Sequence, residues 1–168
     1  QKELRDSIAY VPQKAWLFSG TIEDNLRYGN PDASREELLC ALDTAQSGFV
    51  RQLPDGFLHV AQGGTNFSGG QKQRLSIARA LAKKADLYIF DDIFSALDAK
   101  TDAALRHALK EATKEAAVLI IAQKQHDPSR RQILVLEDGK AAGLGTHADL
   151  MERCPVYKDI VRSQMRDT

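Results

Sequence analysis

The segment from Asn66 to Arg74 carries residues suited to holding an anion. It has the sequence Asn-Phe-Ser-Gly-Gly-Gln-Lys-Gln-Arg, and the apolar periodicity that follows predicts a helix from Lys72 to Lys83. Gly69 and Gly70 let the backbone approach a ligand closely, and Ser68 adds a hydroxyl donor. The free amides of the first helical turn lie at the positive end of the helix dipole, which favours phosphate. Because a Ser-Gly-Gly turn is also a common helix cap, this motif alone leaves both interpretations open.

Two adjacent carboxylates form the second group of residues with chemical potential. Asp91 and Asp92 follow the apolar run Leu87-Tyr88-Ile89-Phe90, which predicts a buried strand. Ligands of open α/β sheets collect at the carboxyl ends of the strands, so this position favours a site. Asp91 can hold Mg²⁺, and Asp92 can orient or deprotonate an attacking water. The alternative is that the pair only ends the strand and caps the next helix.

The elements around these motifs predict an α/β fold. Strands with continuous apolar runs alternate with amphipathic helices, a pattern typical of a parallel sheet covered on both faces. Ser34 and Glu37 form a predicted capping box at the start of one helix. The predicted strands are Ser7 to Val11, Leu87 to Phe90, Val118 to Ala122 and Ile133 to Glu137. The predicted helices are Ile22 to Tyr28, Arg35 to Gln46, Lys72 to Lys83, Lys100 to Thr113 and one from about Asp149.

Composition limits the classes of function. A chain of 168 residues with 43% hydrophobic residues can bury one core and a small second lobe. The formal net charge is zero, which argues against binding to nucleic acid or to an anionic membrane surface, and no apolar run is long enough to cross a bilayer. Cys40 and Cys154 lie far apart, which argues against a disulfide framework or zinc site and predicts packing roles in a reducing compartment.

Taken in order along the chain, these motifs resemble the nucleotide-binding domain of ATP-binding cassette (ABC) transporters, in particular the exporter branch. The matching core motifs are the glutamine loop Val11-Pro12-Gln13, the signature loop Phe67-Ser68-Gly69-Gly70-Gln71, the second Walker motif from Leu87 to Asp91 and the D-loop Ser95-Ala96-Leu97-Asp98. Two further segments look like exporter helix entries: Phe18-Ser19-Gly20-Thr21-Ile22 with Asn25-Leu26, and Gly145-Thr146-His147 with Asp149-Leu150.

The resemblance implies a P-loop NTPase-like fold with ATP and Mg²⁺ as cofactors. It divides the chain into 1–13, the end of a core strand and the glutamine loop; 14–71, an inserted helical subdomain ending in the signature loop; and 72–168, the core. Asp92 and Gln123 fall on the catalytic positions, and Gln13 and Asp91 on the Mg²⁺ positions. The implied nucleotide-contacting residues are Gln13, Ser68, Gly69, Gly70, Gln71 and Asp98. Asp98 can face the nucleotide or cap the helix near Lys100, and both roles are compatible.

Three departures from the family pattern modify this expectation. No GxxxxGK[ST] motif occurs, so the chain is expected to begin after the first strands and the P-loop and to bind ATP weakly or not at all when isolated. Asp92 stands in place of the usual glutamate; one methylene less withdraws the carboxylate by about 1.5 Å, and a misplacement of about 1 Å can cost on the order of 10²-fold. Gln123 stands in place of the switch histidine and cannot carry a proton, while His126 has the character of an ordinary loop residue.

Some exporters of the family pair two different half-subunits, one of whose ATP sites is degenerate at these same positions, so the resemblance implies that Asp92 and Gln123 mark the degenerate site of a heterodimer. In the family each site joins the Walker motifs of one subunit to the signature loop of the other, so the intact signature loop would serve the partner's site. The resemblance also implies contact with coupling helices of a transmembrane domain, for which Trp16 and Phe18 are candidates if they are not local packing residues. It places the domain at the cytoplasmic face of the cell membrane, in substrate export. The alternatives are a soluble cassette ATPase of DNA repair or translation, and a non-catalytic truncated interaction module.

Overall fold

The computed structural model describes residues 1–53, 60–123 and 132–166, and the chain divides into two compact units, Gln1–Ile121 and Ala122–Thr168. The strands are β1 (Ile8–Val11), β2 (Leu87–Asp91), β3 (Ala117–Ile121), β4 (Ile133–Glu137) and β5 (Lys140–Gly145). The helices are α1 (Lys2–Asp6), α2 (Ile22–Arg27), α3 (Arg35–Thr44), α4 (Gly69–Ala82), α5 (Ala99–Ala112), α6 (His147–Arg153) and α7 (Pro155–Arg166), with short 3-10 turns at Gly48–Gln52 and Gln62–Gly64.

The sheet of the first unit has the order β1-β2-β3 with all strands parallel, as the sequence predicts. Val11 pairs with Phe90, and Phe90 with Ile120, so the carboxyl ends of the three strands meet at one edge. Val11 and Phe90 are buried, whereas Leu119 and Ile121 on the third strand are 51% and 47% exposed. The sequence predicted a sheet with both faces covered. For the described residues this is wrong, because successive side chains of β3 point to opposite faces and those on one face, such as Leu119 and Ile121, are exposed.

Helix α4 is the centre of the helical packing in the first unit. It contacts α2, α3 and β1, and it contributes Leu75 and Ile77 to the core. Helices α2 and α3 both begin with a capping box, in which a side chain at the cap and one three residues later exchange hydrogen bonds with backbone amides. The box predicted from Ser34 and Glu37 is confirmed. These caps fix the residue at which each helix starts, and hence which of its side chains pack against α4.

The second unit contains the antiparallel β4–β5 hairpin and the two C-terminal helices. Its core is formed by Val135, Leu150, Cys154, Tyr157 and Val161. One helix from about Asp149 was expected, but the structure has two, beginning at His147 and Pro155. Proline lacks an N–H and fits the first turn of a helix better than its interior, so it starts α7 rather than continuing α6.

Two other expectations require correction or addition. Cys154 is buried, but Cys40 is exposed on α3, so the predicted packing role of Cys40 is wrong. Among the parts of the chain that the structure describes, no helix is long and apolar enough to span a membrane. The domain boundaries at 13/14 and 71/72 stay a prediction.

Candidate functional site

The residues Ser68 to Gln71 of the signature loop, called the signature turn below, form the N-terminus of α4. They are not a separate hinge before the helix. Ser68 is the N-cap: its Oγ accepts from the backbone N–H of Gln71 at 3.2 Å, and its own N–H donates to Gln71 Oε1 at 2.9 Å. The helix therefore begins at Gly69, three residues before the predicted start at Lys72. The amides of Gly69 and Gly70 belong to the first turn, where an α-helix offers no acceptor of its own.

The two glycines of this turn have different surroundings. A Cβ placed on Gly69 would have no atom within 4 Å, whereas one on Gly70 would lie 3.0 Å from the carbonyl oxygen of Ala96. Gly70 thus allows the turn to approach the segment after β2, while the space over Gly69 is open. An anion or another molecule can reach the helix N-terminus from the side of Gly69.

Asp91 and Asp92 lie at the carboxyl end of β2, and each is held by a donor from the β1 side. Tyr10 Oη donates to Asp91 Oδ2 at 3.0 Å, and this hydrogen bond raises the pKa of Tyr10 above its usual value. Gln13 Nε2 donates to Asp92 Oδ2 at 2.9 Å. The structure therefore brings Gln13, Asp91 and Asp92 together, as their predicted roles require, although the roles themselves stay predictions.

The backbone of Asp92 turns sharply after the strand. Its φ is +46°, in the left-handed region that Asp and Asn adopt more readily than most residues. Its N–H donates to the carbonyl of Ile121 at 2.8 Å, and its carbonyl accepts from Ser95 Oγ at 2.9 Å. These contacts fix the direction in which the Asp92 carboxylate leaves the sheet.

The donors around Asp91 fit a magnesium ion. Mg²⁺ takes oxygen ligands and often keeps several waters beside one or two carboxylates and the phosphates of a nucleotide. Asp91 offers a carboxylate, and the Gln13 amide, with its nitrogen directed to Asp92, retains its carbonyl oxygen as a ligand. No cluster of three or more His, Cys, Asp or Glu residues occurs within residues 1–53, 60–123 and 132–166, so the described part offers no all-protein metal cage. In this site the ion would neutralise phosphate charge beside Asp91.

Asp98 caps α5, which confirms one of its two predicted roles. Its Oδ1 accepts from the N–H of Thr101 at 2.9 Å and its Oδ2 from Thr101 Oγ1 at 2.7 Å. These hydrogen bonds hold the pKa of the Asp98 carboxyl below its usual value. The role of Asp98 toward a nucleotide stays a prediction. So does the switch role of Gln123, an exposed residue shortly after β3; His126 lies outside the described residues.

An exposed aromatic surface lies after the glutamine loop. Trp16, Phe18 and Tyr28 are 51%, 43% and 64% exposed, and the rings of Phe18 and Tyr28 are 4.5 Å apart. Trp16 packs beside Gly63, where a Cβ would lie 3.2 Å from the indole. Both alternatives for Trp16 and Phe18 are thus compatible with the structure, because each ring packs locally on one side and faces solvent on the other.

The sequence reasoning missed Tyr10 and Tyr28. Tyr10 lies one residue before the buried Val11, and the alternation of a strand turns it to the face opposite to Val11. The parallel register places Asp91 on that same face, one strand away. That alternation was the available signal for Tyr10. Tyr28 directly follows α2 and offered no comparable signal, since its contact with Phe18 depends on how α2 packs against the segment that precedes it.

The architecture defines a class of protein. A parallel α/β sheet, a carboxylate pair at its carboxyl edge and a helix N-terminus open to an anion agree with a P-loop NTPase-like fold. Comparison with a solved structure supports this class. The chain superimposes on a bacterial Atm1-family ABC exporter with ATP bound, with a TM-score of 0.92 and 34% identity, covering 98% of this chain and 30% of that one.

The family follows from the sequence comparisons. The family model described as ABC transporter matches residues 1–95, more than half of the chain, and the chain belongs to this family. An uncharacterized ABC transporter ATP-binding protein of Mycobacterium bovis is 44% identical over 169 residues, which cover 97% of this chain and 29% of the relative. The uncharacterized ABC transporter ATP-binding protein YfiB of Bacillus subtilis is 45% identical over 164 residues, which cover 96% of this chain and 28% of that relative. The chain thus spans less than a third of the length of these relatives.

Proposed function

We propose that the chain is part of the ATP-binding subunit of an ABC exporter, in which ATP binding and hydrolysis drive the movement of a substrate across a membrane. The open N-terminus of α4 carries this proposal. The Ser68 capping box presents the first-turn amides of α4, and nothing within 4 Å would meet a Cβ on Gly69. A phosphate of ATP is the ligand that suits such a position.

The ATP at this turn would belong to a partner domain. In the family a signature loop completes the site of the opposite subunit, so Ser68, Gly69, Gly70 and Gln71 would contact the partner's nucleotide. The open space over Gly69 supports this, because a second domain can approach there without displacing any part of the described chain. The partner is a second ABC nucleotide-binding domain.

This chain's own site would be the degenerate one of a heterodimer. Asp92 and Gln123 stand on the catalytic positions; the Asp92 carboxylate is one methylene shorter than the glutamate that the family usually places there, and Gln123 cannot carry a proton as the usual histidine can. The hydrogen bond from Gln13 to Asp92 supports the assignment, since a carboxylate oxygen engaged with an amide is less available to a water. Without the P-loop motif, the isolated chain is expected to bind Mg-ATP weakly or not at all and to be inactive; a calorimetric titration with micromolar affinity would contradict this.

The exposed aromatic surface would receive the coupling helices of a transmembrane domain. Trp16, Phe18 and Tyr28 offer solvent-exposed apolar area in this chain. Trp16 and Phe18 lie three and five residues after Gln13, and Tyr28 packs on Phe18. Motion of the glutamine loop on nucleotide closure would then pass to the membrane helices. In this proposed arrangement the domain would lie at the cytoplasmic face of the membrane. It inserts no described helix into the bilayer, and the neutral net charge offers no electrostatic basis for nucleic-acid binding.

The test compares three variants in the full-length protein assembled with its partner, with phosphate release as the readout. Gly69→Ala is expected to abolish most hydrolysis, because the added methyl group enters the open space over Gly69. In the proposed assembly the partner's nucleotide would lie in that space. Gly48→Ala is the matched control: it is the same change at a glycine that is also open within 4 Å, and it should leave hydrolysis unchanged. Asp92→Asn should leave much of the hydrolysis.

Two outcomes would contradict the proposal. Full hydrolysis in Gly69→Ala would refute the role of the signature turn. Loss of hydrolysis in Asp92→Asn, with activity retained in Gly69→Ala, would reverse the assignment of the degenerate site. Thermal unfolding of the variants separates these results from folding defects, since an open glycine in a first helical turn accepts alanine without strain.

A further inference from the structure

We propose that Asp92 is a positioning residue for Gln13, and that its function is to accept the Gln13 amide rather than to take a proton. The motivating observation is the 2.9 Å hydrogen bond from Gln13 Nε2 to Asp92 Oδ2. It holds the amide with its nitrogen toward Asp92 and leaves the carbonyl oxygen as the remaining ligand atom. The consequence for Mg²⁺ rests on the proposed ATP site, but the hydrogen bond and its test do not.

Asp92 is a rigid anchor, and Gln13 is not. The backbone of Asp92 is held by its hydrogen bonds to Ile121 and Ser95 and by its place at the end of a central strand. Gln13 is exposed and follows β1, and its side chain makes no other hydrogen bond among the described residues. Order in the Gln13 side chain therefore depends on the acceptor that Asp92 provides.

The left-handed backbone at Asp92 suggests which substitutions separate the two roles. Asparagine adopts this conformation readily and keeps an acceptor oxygen at the same reach, but it cannot act as a base. Glycine accepts the backbone without strain and removes the acceptor. Asp92→Asn should thus preserve the position of Gln13, and Asp92→Gly should release it.

A matched control is available in the second unit. Asp138 also has a left-handed backbone, with φ of +48°, and is exposed in the turn between β4 and β5. Asp138→Gly makes the same chemical change at the same kind of backbone, with no glutamine bound to the side chain. It should leave Gln13 unchanged.

The readout is the side-chain NH₂ group of Gln13 in ¹⁵N–¹H correlation spectra of the 168-residue chain, assigned by its loss in Gln13→Glu. In the wild type, Asp92→Asn and Asp138→Gly, the group should show restricted motion and slowed hydrogen exchange. In Asp92→Gly, exchange should accelerate about three- to tenfold, the range of one hydrogen bond at an accessible site. The dispersion of the backbone amides reports that each variant is folded.

A second measurement tests the same contact if one of the variants folds too poorly for NMR. Thermal unfolding of Asp92→Gly, Gln13→Ala and the double variant forms a cycle, in which the loss from the second change should be smaller once the first is present. Equal mobility of Gln13 in wild type and Asp92→Gly, or equal release in Asp92→Asn and Asp92→Gly, would overturn the positioning role and leave the proposed function intact. The expected spectra together with full hydrolysis in Gly69→Ala would keep the positioning role and overturn the proposed function.

Discussion

Asn25 is the residue whose replacement should most clearly loosen the segment after the glutamine loop. It lies on α2, is 2% exposed and closes the loop around Phe18. Its Oδ1 accepts from the Phe18 N–H at 2.9 Å, and its Nδ2 donates to the carbonyls of Phe18 and Thr21 at 2.8 and 2.9 Å. One side chain thus ties a loop to the first turn of a helix.

The cost of Asn25→Ala follows from these three hydrogen bonds. Each contributes about 1 kcal/mol net, and the Phe18 amide groups lose a partner in a part-buried place, so the total loss is about 3 kcal/mol. For a chain of this size 1 kcal/mol corresponds to roughly 2–4 °C in Tm, which gives a decrease of roughly 6–12 °C. Release of Phe18 from its position against Tyr28 should accompany the loss.

Asn25→Asp should be worse than Asn25→Ala at neutral pH. The introduced carboxylate keeps the acceptor but directs negative charge at two carbonyl oxygens in a buried position. Burial and these oxygens disfavour the charged form, so the folded-state pKa of the introduced carboxyl lies above its unfolded value of about 3.9. A group with a raised folded pKa contributes stability below its unfolded pKa and loses it as the pH rises through the folded pKa. Acid should therefore recover part of the stability that this variant lacks at neutral pH.

The assay is thermal unfolding by circular dichroism of wild type and both variants between about pH 4 and pH 7, the range over which a carboxyl with a raised pKa titrates. Asn30→Ala serves as the control, since the Asn30 side chain accepts a single hydrogen bond among the described residues, from the Asp32 N–H, and this bond is exposed to solvent. A decrease in Tm for Asn25→Ala no larger than for Asn30→Ala would refute the reasoning. So would an Asn25→Asp variant whose deficit relative to wild type does not change with pH.

Two further predictions concern packing and capping. In Gly29→Ala the new Cβ would lie 2.1 Å from the carbonyl oxygen of Arg79 on α4, so the end of α2 must move away. We expect the free energy of unfolding, measured with denaturant, to fall by about 1–3 kcal/mol. An unfolding midpoint equal to that of Gly48→Ala would contradict this. Hydrogen bonds from Thr101 lower the pKa of Asp98, so its contribution is present above its unfolded pKa and lost as the pH falls through the folded pKa. The Tm difference between wild type and Asp98→Ala should then be largest near neutral pH and shrink below about pH 4, and a difference independent of pH would disprove it.

Local signals in the sequence predicted the starts of α2 and α3 at the residues where the structure has them, Ile22 and Arg35. Ser34 with Glu37 specified one start correctly, because a capping box is complete within four residues. Ser68 and Gln71 form the same kind of box, yet the predicted start at Lys72 was late. The predicted start followed the apolar periodicity, which begins near Lys72, and left Gly69 and Gly70 in a turn before the helix. In the structure the box determines the start, so the glycines of the signature turn are helical.

The contacts within the candidate site were beyond local signals. Asp91 and Asp92 were placed correctly at the end of a strand, but their partners Tyr10 and Gln13 lie 81 and 79 residues away in the chain. Which loop meets which carboxylate depends on the order and register of the strands. The pairing of Val11 with Phe90 supplies that information, and a parallel register is set by long-range packing that no short motif encodes.

The two parts of the candidate site, the signature turn and the carboxylate Asp92, differ in whether their polar groups are already engaged within the chain. The signature turn satisfies itself through the Ser68 box and leaves Gly69 open, so its geometry is complete before any ligand arrives. Asp92, in contrast, is already engaged with Gln13, and it emerges from a left-handed backbone. A glutamate there would extend its carboxylate one methylene further, from a backbone conformation that favours short polar side chains, and so away from the position that binds the amide. The missing methylene is therefore not an isolated change, because the short side chain and the left-handed backbone of Asp92 together suit an acceptor for Gln13.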